Sequence, residues 1–393
     1  MKIRLGMIGG GTGSFIGAVH RKAAAIDGHF DLISGSFSSD AQISRQTGAE
    51  LGLDPQRVYD TFEQMLDTES ALPAERRIQA VAVVTPNHLH AGPTIMALNH
   101  GFDVILDKPM AFSLQEAQQI KAALQQSGRL LALTHTYAGY PMVKEARHLI
   151  AQGKLGQIHK IYVEYPQGWL SRFIEQRAKE QGVKEQGGQK QANWRTDPTR
   201  AGAGGCIGDI GTHAAHLAEY VSGLKITQLC AELNTRVSGR LLDDDAAALL
   251  RFENGATGVL VATQVAAGED NNVRIRIYGE HGGIEWAHQD ANSLQVKMLD
   301  QPLQIYRAGA GYLSQAALSN TRLPAGHPEG YIEAFANIYS NFARALNDCS
   351  NKTFTCLQDY DFPSADEGLR GMAFIDAMLA SSTSTEKWTA INL

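Results

Sequence analysis

Apolar runs and helical patterns alternate over the first third of the chain. Strand-like runs lie at 3–8, 30–37, 79–84, 103–106 and 130–134, and the run at 79–84 has the continuous hydrophobicity of a buried parallel strand. Helical patterns separate them, among others at 18–25, 91–100 and 113–127. This alternation predicts an α/β fold with a doubly wound parallel sheet, and we place that domain at residues 1–136.

The pattern changes beyond residue 137. A polar, glutamine-rich segment at 167–192 lacks strand character and is long enough for a lid or a subunit contact. Runs at 246–252, 258–263 and 273–278 then follow without intervening helices. We therefore expect an α+β domain on a large open, mainly antiparallel sheet at 137–360, with a C-terminal helix and tail at 361–393 packing back on the domains.

The amino-acid composition limits the kinds of molecule that the protein can bind. The chain has 393 residues and a net charge of -6, which argues against nucleic acid and anionic membranes and favours a small, neutral or weakly polar substrate. The start of the chain has no apolar leader and no apolar run is long enough to span a membrane, so we expect a cytoplasmic protein. The four cysteines show no metal-like spacing, and we expect no metal site.

A glycine-rich turn joins the first predicted strand to the first predicted helix. Glycines allow a tight turn and a close approach of the backbone to a pyrophosphate, which the helix N-terminus then faces. The spacing is an expanded variant of the usual dinucleotide fingerprint, because Gly11 is followed by a stretched segment before Gly17. We expect Gly9, Gly11 and Thr12 to contact the cofactor.

The ends of the next strands supply further candidate cofactor contacts. Ser38, Ser39 and Asp40 stand about where such a fold meets the adenosine ribose, although Asp40 also suits a helix N-cap. The choice between NAD and NADP therefore stays open. Beyond the third strand, the loop is expected to line the cofactor through Thr85, Pro86, Asn87 and His90.

Three residues suit acid-base chemistry on a hydroxyl group. Lys108 precedes a proline at a strand end, where a lysine can hydrogen-bond a substrate hydroxyl; a solvated turn lysine is the alternative. Asp209 and His213 lie four residues apart at a predicted helix start, so they share one helix face. An imidazole titrates near neutral pH and a carboxylate can orient it, whereas the alternative is a capping aspartate with a surface histidine.

Further side chains are candidates for substrate binding. Trp194 and Arg195 together suit the face and hydroxyls of a carbohydrate, or else form a core anchor and a surface arginine. His327 precedes a proline at a helix start and either contacts substrate or caps its loop. Cys206 lies near the Asp209 stretch and is interpreted as a small buried thiol.

The combined motifs resemble the Gfo/Idh/MocA oxidoreductases over essentially the whole chain. They are Gly9-Gly10-Gly11, Thr85-Pro86-Asn87, Asp107-Lys108-Pro109 and Gly208-Asp209-Ile210-Gly211-Thr212-His213. The resemblance implies a Rossmann domain and a domain for substrate binding and oligomerisation. It also implies a cleft role for Lys108, substrate binding by Asp209 and proton transfer by His213. Asp107 stands where the family usually has glutamate.

The resemblance implies an NAD(P)-dependent dehydrogenase that acts on a secondary alcohol of a cyclitol or pyranose sugar, such as an inositol or a glycoside. Two alternatives share this fold: a nicotinamide-dependent glycosidase that uses transient oxidation, and a non-catalytic sugar or dinucleotide sensor. A homodimer or homotetramer is expected, because the family often associates through the open face of its second sheet.

Overall fold

The two hydrophobic patterns of the sequence correspond to two sheets. The computed structural model describes residues 2–175, 188–354 and 356–393. They pack into two units: Met1–His135 with Phe335–Leu369, and Thr136–Ala334 with Arg370–Leu393. Residues 335–369, which the sequence analysis assigned to later parts of the chain, thus join the first unit, because two late helices contribute to both units.

The five predicted strands of the first third of the chain form the parallel sheet of the first unit. Its strands are β1 (Ile3–Gly9), β2 (Phe30–Ser36), β3 (Ala80–Val84), β4 (Asp103–Leu106) and β5 (Leu131–Leu133), in the order β2-β1-β3-β4-β5. All neighbours are parallel, and every residue of β3 is buried. The order reverses beside β1, and a parallel α/β sheet binds ligands at the carboxyl ends of strands at such a point.

Helices connect and cover these strands. They span Phe15–Ile26, Ala41–Glu50, Phe62–Ala71, Ala91–Asn99 and Leu114–Ser127. The late helices Tyr331–Ser350 and Ala365–Thr383 enter the first unit with residues 335–350 and 365–369.

Alternating apolar residues form the sheet of the second unit. Its order is β13-β12-β11-β10-β6-β9-β8-β7-β14, and its neighbours are antiparallel except for β6 and β9. The strands are β6 (Ile158–Pro166), β7 (Ile226–Asn234), β8 (Asp245–Phe252), β9 (Thr257–Thr263), β10 (Arg274–Gly279), β11 (Gly282–Ala287), β12 (Ser293–Met298), β13 (Gln304–Arg307) and β14 (Thr389–Ala390). The predicted doubly wound and mainly antiparallel sheets are both confirmed.

One face of the second sheet is covered and the other is open. In β8, for example, Ala246, Ala248 and Leu250 are buried, whereas Ala247 and Leu249 on the opposite face are exposed. The helices of this unit include Pro141–Ala151, Gly188–Arg195, Pro198–Ala201, Thr212–Ser222 and Gln315–Leu318. A π-helical turn, Ile207–Gly211, leads directly into Thr212–Ser222.

The polar segment predicted at 167–192 differs in part from the loop expected there. Its end belongs to the helix Gly188–Arg195, whose composition gives it almost no apolar face, so no amphipathic pattern marks it in the sequence. Residues 176–187 of that segment lie outside the described residues.

Candidate active site

The glycine turn after β1 brings its backbone close to the neighbouring strand β3. Gly9 and Gly10 have φ of 82° and 73°, which side-chain-bearing residues rarely adopt. A Cβ on Gly9 would lie 2.9 Å from the carbonyl oxygen of Val84 on the neighbouring strand. The Ser14 hydroxyl caps the following helix by accepting the Gly17 amide at 3.2 Å. The turn therefore places glycine backbone next to a capped helix N-terminus, which suits a pyrophosphate.

The residues that lengthen this turn are hydrogen-bonded to the segment just after β2 and to the helix that follows it. The Gly11 amide donates to the carbonyl of Phe37 at 3.0 Å, and the Thr12 amide donates to Thr47 Oγ1 at 3.0 Å. The Thr12 hydroxyl donates to Glu50 at 2.7 Å, and this bond helps to lower the pKa of Glu50. The expanded loop is thus held in place by helix Ala41–Glu50.

The end of β2 holds the candidate ribose contacts. Asp40 caps helix Ala41–Glu50, because its Oδ1 accepts the Gln42 amide at 2.9 Å and the Ile43 amide at 3.3 Å. The Ser38 hydroxyl accepts the Asp40 amide at 3.1 Å, and Ser39 is exposed. Asp40 therefore has the capping role that the sequence also suggested, and its carboxylate is exposed at the ligand-binding edge.

Apolar side chains are exposed at this same edge. Phe15, Ile43 and Leu89 are 63%, 40% and 44% exposed, and each follows the carboxyl end of a neighbouring parallel strand. Large exposed apolar groups suit the flat faces of aromatic ring systems. The sequence analysis did not identify them, because helix-start residues of this type are common in any amphipathic helix.

His90 links the loops after β3 and β4. Its Nδ1 lies 2.8 Å from the carbonyl oxygen of Pro109, and its Nε2 lies 2.9 Å from that of Thr85. Burial lowers the pKa of His90. Thr85 in turn donates its hydroxyl to the Leu89 carbonyl at 2.8 Å, and Asn87 is buried in the same loop. His90 therefore lies between the two loops and, as a neutral imidazole, donates to one of the two carbonyl oxygens at the edge where the cofactor is expected.

Lys108 follows a buried carboxylate. Asp107 Oδ1 accepts the Lys108 amide at 2.9 Å and the Thr134 hydroxyl at 2.8 Å. Burial alone would raise the pKa of Asp107, but His20, Lys108 and His90 together bring it well below its usual range. Lys108 is half-buried, and its bond to Pro109 is cis. The strand end therefore carries an ionised aspartate beside the candidate lysine.

In the second unit, Asp209 lies on the π-helical turn and not on a regular α-helix as expected. Asp243 caps this turn by accepting the amides of Gly205 at 2.6 Å and Ile207 at 2.8 Å. A Cβ on Gly211 would lie 2.2 Å from the Ile207 side chain, so the turn packs tightly against itself. Cys206 is fully buried, and burial raises the pKa of its thiol well above the usual value.

The Asp209 carboxylate is held by two donors. Arg195 Nε lies 3.2 Å from Asp209 Oδ2, and the side-chain Nε2 of Gln264 donates to the same oxygen at 2.9 Å. The Arg195 guanidinium also lies 4.1 Å from the centre of the Trp194 ring. Trp194 and Arg195, which the sequence pattern pairs with each other but not with Asp209, therefore form one cluster with it.

His213 packs against two buried tyrosines. Its ring centre lies 5.1 Å from that of Tyr137 in an edge-on arrangement and 6.2 Å from that of Tyr165. Burial raises the pKa of Tyr137 to about 12, and the charge of Asp209 adds to that rise. Asp209 and His213 are thus both close to Tyr137.

The two tyrosines form a closed hydrogen-bonded ring with an amide. Tyr137 and Tyr165 oxygens are 2.5 Å apart, Tyr165 donates to Asn271 Oδ1 at 2.7 Å, and Asn271 Nδ2 donates to Tyr137 at 3.1 Å. Gln167 Nε2 donates to Asn271 Oδ1 at 2.6 Å. The sequence analysis missed these residues, because they come from separate segments and match no motif.

His327 is exposed, and its Nδ1 lies 3.2 Å from the Pro324 carbonyl oxygen within its own loop. This is the loop-capping arrangement that the sequence analysis kept as an alternative. Among the described residues, no cluster of His, Cys, Asp or Glu side chains has a metal-binding arrangement. Within the same ranges, no helix has the length and apolar character needed to span a membrane.

The parallel sheet, the glycine turn and the capped helix are the features of a dinucleotide-binding domain. Residues 3–135 match the model "Oxidoreductase family, NAD-binding Rossmann fold", and residues 143–285 match the GFO/IDH/MocA C-terminal domain. The chain belongs to the Gfo/Idh/MocA family of oxidoreductases.

Similar proteins cover three quarters or more of the chain. The oxidoreductase YfiI of Bacillus subtilis (strain 168) is 32% identical over 98% of this chain and 96% of its own. An inositol dehydrogenase homolog from Azotobacter vinelandii, solved in complex with NAD+, is 33% identical, has a TM-score of 0.93 and covers 99% of this chain and 97% of its own. Levoglucosan dehydrogenase of Pseudarthrobacter phenanthrenivorans is 26% identical over 75% of this chain and 76% of its own.

Proposed function

We propose that this protein is a dehydrogenase that transfers a hydride between a secondary alcohol of a cyclitol or pyranose sugar and NAD. The observation that carries the proposal is the cluster around Asp209: a half-buried carboxylate, fixed by Arg195 and Gln264, with the imidazole of His213 four residues further along the chain. Such a pair suits a site that must bind a hydroxyl group and remove its proton.

Each proposed catalytic side chain has one role. His213 accepts the proton of the reacting hydroxyl. Asp209 accepts a hydrogen bond from a substrate hydroxyl and orients the site. The ammonium group of Lys108 stabilises the negative charge that develops on the reacting oxygen. NAD, when bound, accepts the carbon-bound hydrogen with its electron pair, so that the alcohol becomes a ketone.

The glycine turn and the strand ends of the first unit are proposed to hold NAD. Gly9, Gly11 and Thr12 offer the turn to the pyrophosphate, while Ser38, Ser39 and Asp40 lie at the strand end assigned to the adenosine ribose. The carboxylate of Asp40 favours a ribose hydroxyl over a phosphate, which supports NAD over NADP. The loop containing Thr85, Pro86, Asn87 and His90 is assigned to the nicotinamide end, next to Lys108.

The substrate class rests on the relatives and on the cluster in the second unit. The Azotobacter vinelandii homolog has also been solved with NADH and myo-inositol, at 32% identity to this chain. Trp194, which stacks with Arg195, is proposed to contact the face of a sugar ring, and Arg195 its hydroxyls. His327 is proposed as a further substrate contact from its exposed loop.

We also propose that the protein forms a homodimer or homotetramer through the open face of its second sheet. Ala247, Leu249, Val259 and Val261 form a cross-strand apolar patch there, since Ala247 pairs with Val261 and Leu249 with Val259. Exposed apolar patches of this kind mark contacts between proteins.

A substrate panel tests the proposed reaction. Inositols, hexoses and simple glycosides are each mixed with NAD or NADP, and the absorbance of reduced nicotinamide is followed. A signal with a polyol and NAD is the expected result. Release of free sugar from a glycoside without net NADH would instead identify a glycosidase, and NADH binding without any turnover would identify a sensor.

A further inference from the structure

A fully buried histidine lies behind the Lys108 strand end. The ring of His20 packs edge-on against Phe335 at 4.7 Å, and its Nδ1 lies 2.7 Å from the hydroxyl of Tyr339. Its Nε2 lies 3.9 Å from Asp107 Oδ1, which is too long for a direct hydrogen bond. Nε2 has no hydrogen-bond partner among the described residues, and a buried polar atom of this kind requires an explanation.

The surroundings of His20 determine which nitrogen carries hydrogen. Burial, together with the charge of Asp107, raises the pKa of Tyr339 well above its usual value, so its hydroxyl keeps its hydrogen. A lone pair on Nε2 would face the Asp107 carboxylate and be repelled by it. The favoured neutral form therefore accepts from Tyr339 at Nδ1 and directs Nε2–H toward Asp107, and the protonated ring also has hydrogen on Nε2.

Asp107 transmits this interaction to the backbone of Lys108. Its Oδ1 accepts the Lys108 amide at 2.9 Å and the Thr134 hydroxyl at 2.8 Å, so one carboxylate ties the ends of β4 and β5 together. On the far side of Lys108, the Pro109 carbonyl lies against His90. The peptide that carries the lysine is thus fixed from both sides.

We propose that His20 is a positioning residue for the reaction, which holds the ionised Asp107 in the orientation that presents Lys108 to the substrate oxygen. This inference rests on the proposed function, because Lys108 must act on substrate for its placement to matter. His20 itself contacts neither substrate nor cofactor in this proposal, and its effect reaches the reaction through Asp107 and the Lys108 backbone.

The first test compares two histidine variants. His20→Gln should lower kcat about 10- to 100-fold, because small displacements of a catalytic group have effects of that size. Its KM and its Kd for NADH, measured by fluorescence, should stay within about threefold of wild type. His100→Gln is the matched control, since His100 also contacts an aspartate, Asp67 at 2.9 Å, but lies at the opposite end of the sheet.

Variants of Asp107 keep the test decisive if His20→Gln folds poorly. Asp107→Asn should lose as much kcat as His20→Gln, and Asp107→Glu, which restores the charge, should recover most of it. The double variant His20→Gln/Asp107→Asn should be no slower than either single variant, because the two residues act as a unit. Losses that multiply in the double variant, or a kcat for His20→Gln within twofold of wild type, would overturn the proposal.

A second readout needs no substrate. Hydrogen exchange at the Lys108 amide, which donates to Asp107, should be at least about tenfold faster in His20→Gln than in wild type and unchanged in His100→Gln. If wild type oxidises no alcohol in the panel, the proposed function fails and this exchange measurement decides the positioning role. Unchanged exchange in His20→Gln would overturn the role whether or not a substrate is found.

Discussion

Two buried histidines near the candidate site have different surroundings. Both ring nitrogens of His90 lie within 2.9 Å of carbonyl oxygens, one on each of the loops after β3 and β4. His213 instead packs edge-on against Tyr137, close to the carboxylate of Asp209. Burial alone therefore does not distinguish a structural histidine from a proposed base, whereas the groups around each ring do.

Removal of the proposed base tests the role of His213. His213→Ala should lower turnover by about two to four orders of magnitude and leave the Kd for NADH nearly unchanged. The matched control is His216→Ala, since His216 lies in the same helix and stacks on Tyr220. Turnover per folded molecule of the control should stay close to wild type. Near-normal turnover in His213→Ala would refute the assignment.

Asp103 predicts a pH dependence of stability. Burial raises its pKa to about 6, whereas its unfolded pKa is about 4. A carboxyl group whose pKa is raised by folding adds stability below pH 4, and that contribution is lost as the pH rises through 6. The folded protein therefore has a penalty at pH 8 for holding a half-buried charge.

Asp103→Asn should remove this penalty. The side-chain oxygen of the asparagine can still accept a hydrogen bond from the Leu130 backbone N–H, as Asp103 Oδ1 does at 2.8 Å. We expect the variant to be about 1 to 3 kcal/mol more stable than wild type at pH 8, because its side chain carries no charge to remove from water. The thermal midpoint, measured at pH 4 and pH 8, should rise only at pH 8. An equal change at both pH values would contradict the prediction.

Single elements were predictable where their residues are local in sequence. The glycine turn, the strand end at Lys108 and the helix after Asp209 all follow from short motifs. The π-helical turn at Ile207–Gly211 did not, because it depends on capping by Asp243 from a distant loop. The anchoring of Thr12 to Glu50 depends likewise on the packing of one helix beside another.

The glycine turn allows a test at the scale of one element. A Cβ on Gly17 would lie 2.4 Å from the Cα and 2.5 Å from the carbonyl oxygen of Gly10, and these backbone atoms have little room to move. Gly17→Ala should therefore weaken NADH binding by at least about tenfold, since close backbone approach is what these glycines allow. NADH fluorescence titration measures this loss.

Gly371→Ala is the matched control for Gly17→Ala. Gly371 also lies in a helix, but a Cβ there would have no atom within 4 Å. The control should keep wild-type NADH affinity and gain up to about 1 kcal/mol of stability from the higher helix propensity of alanine. Equal affinities for both variants would show that the turn does not need Gly17.

At the scale of the whole molecule, the fold class followed from hydrophobic periodicity, but the grouping of distant segments did not. Alternating strands and helices predicted the parallel sheet, and consecutive strands predicted the antiparallel one. The network of Tyr137, Tyr165 and Asn271 joins three segments that no local pattern connects. The contact of His20 with Tyr339 spans 319 residues, so only tertiary packing reveals it.

The open face of the second sheet predicts how the whole molecule associates. Leu249 is 47% exposed within the apolar patch, and Leu249→Glu should therefore convert the proposed oligomer to smaller species. Sedimentation velocity measures the change. Leu303→Glu is the matched control, because Leu303 is 55% exposed outside that patch, and it should leave the assembly unchanged. A wild-type protein that sediments as a monomer would refute the proposed assembly.

The first unit is formed by two segments that lie far apart in the chain, and this affects its folding during synthesis. Its first part ends at His135 and its second begins at Phe335, about 200 residues later. Ribosomes add roughly 5 to 20 residues per second. Phe335 and Tyr339, which enclose His20, are therefore synthesised on the order of 10 to 40 seconds after the strands of the parallel sheet. During that interval the apolar surface that these residues cover is open to chaperones, so the gap between the two segments sets how long the unfinished domain needs protection.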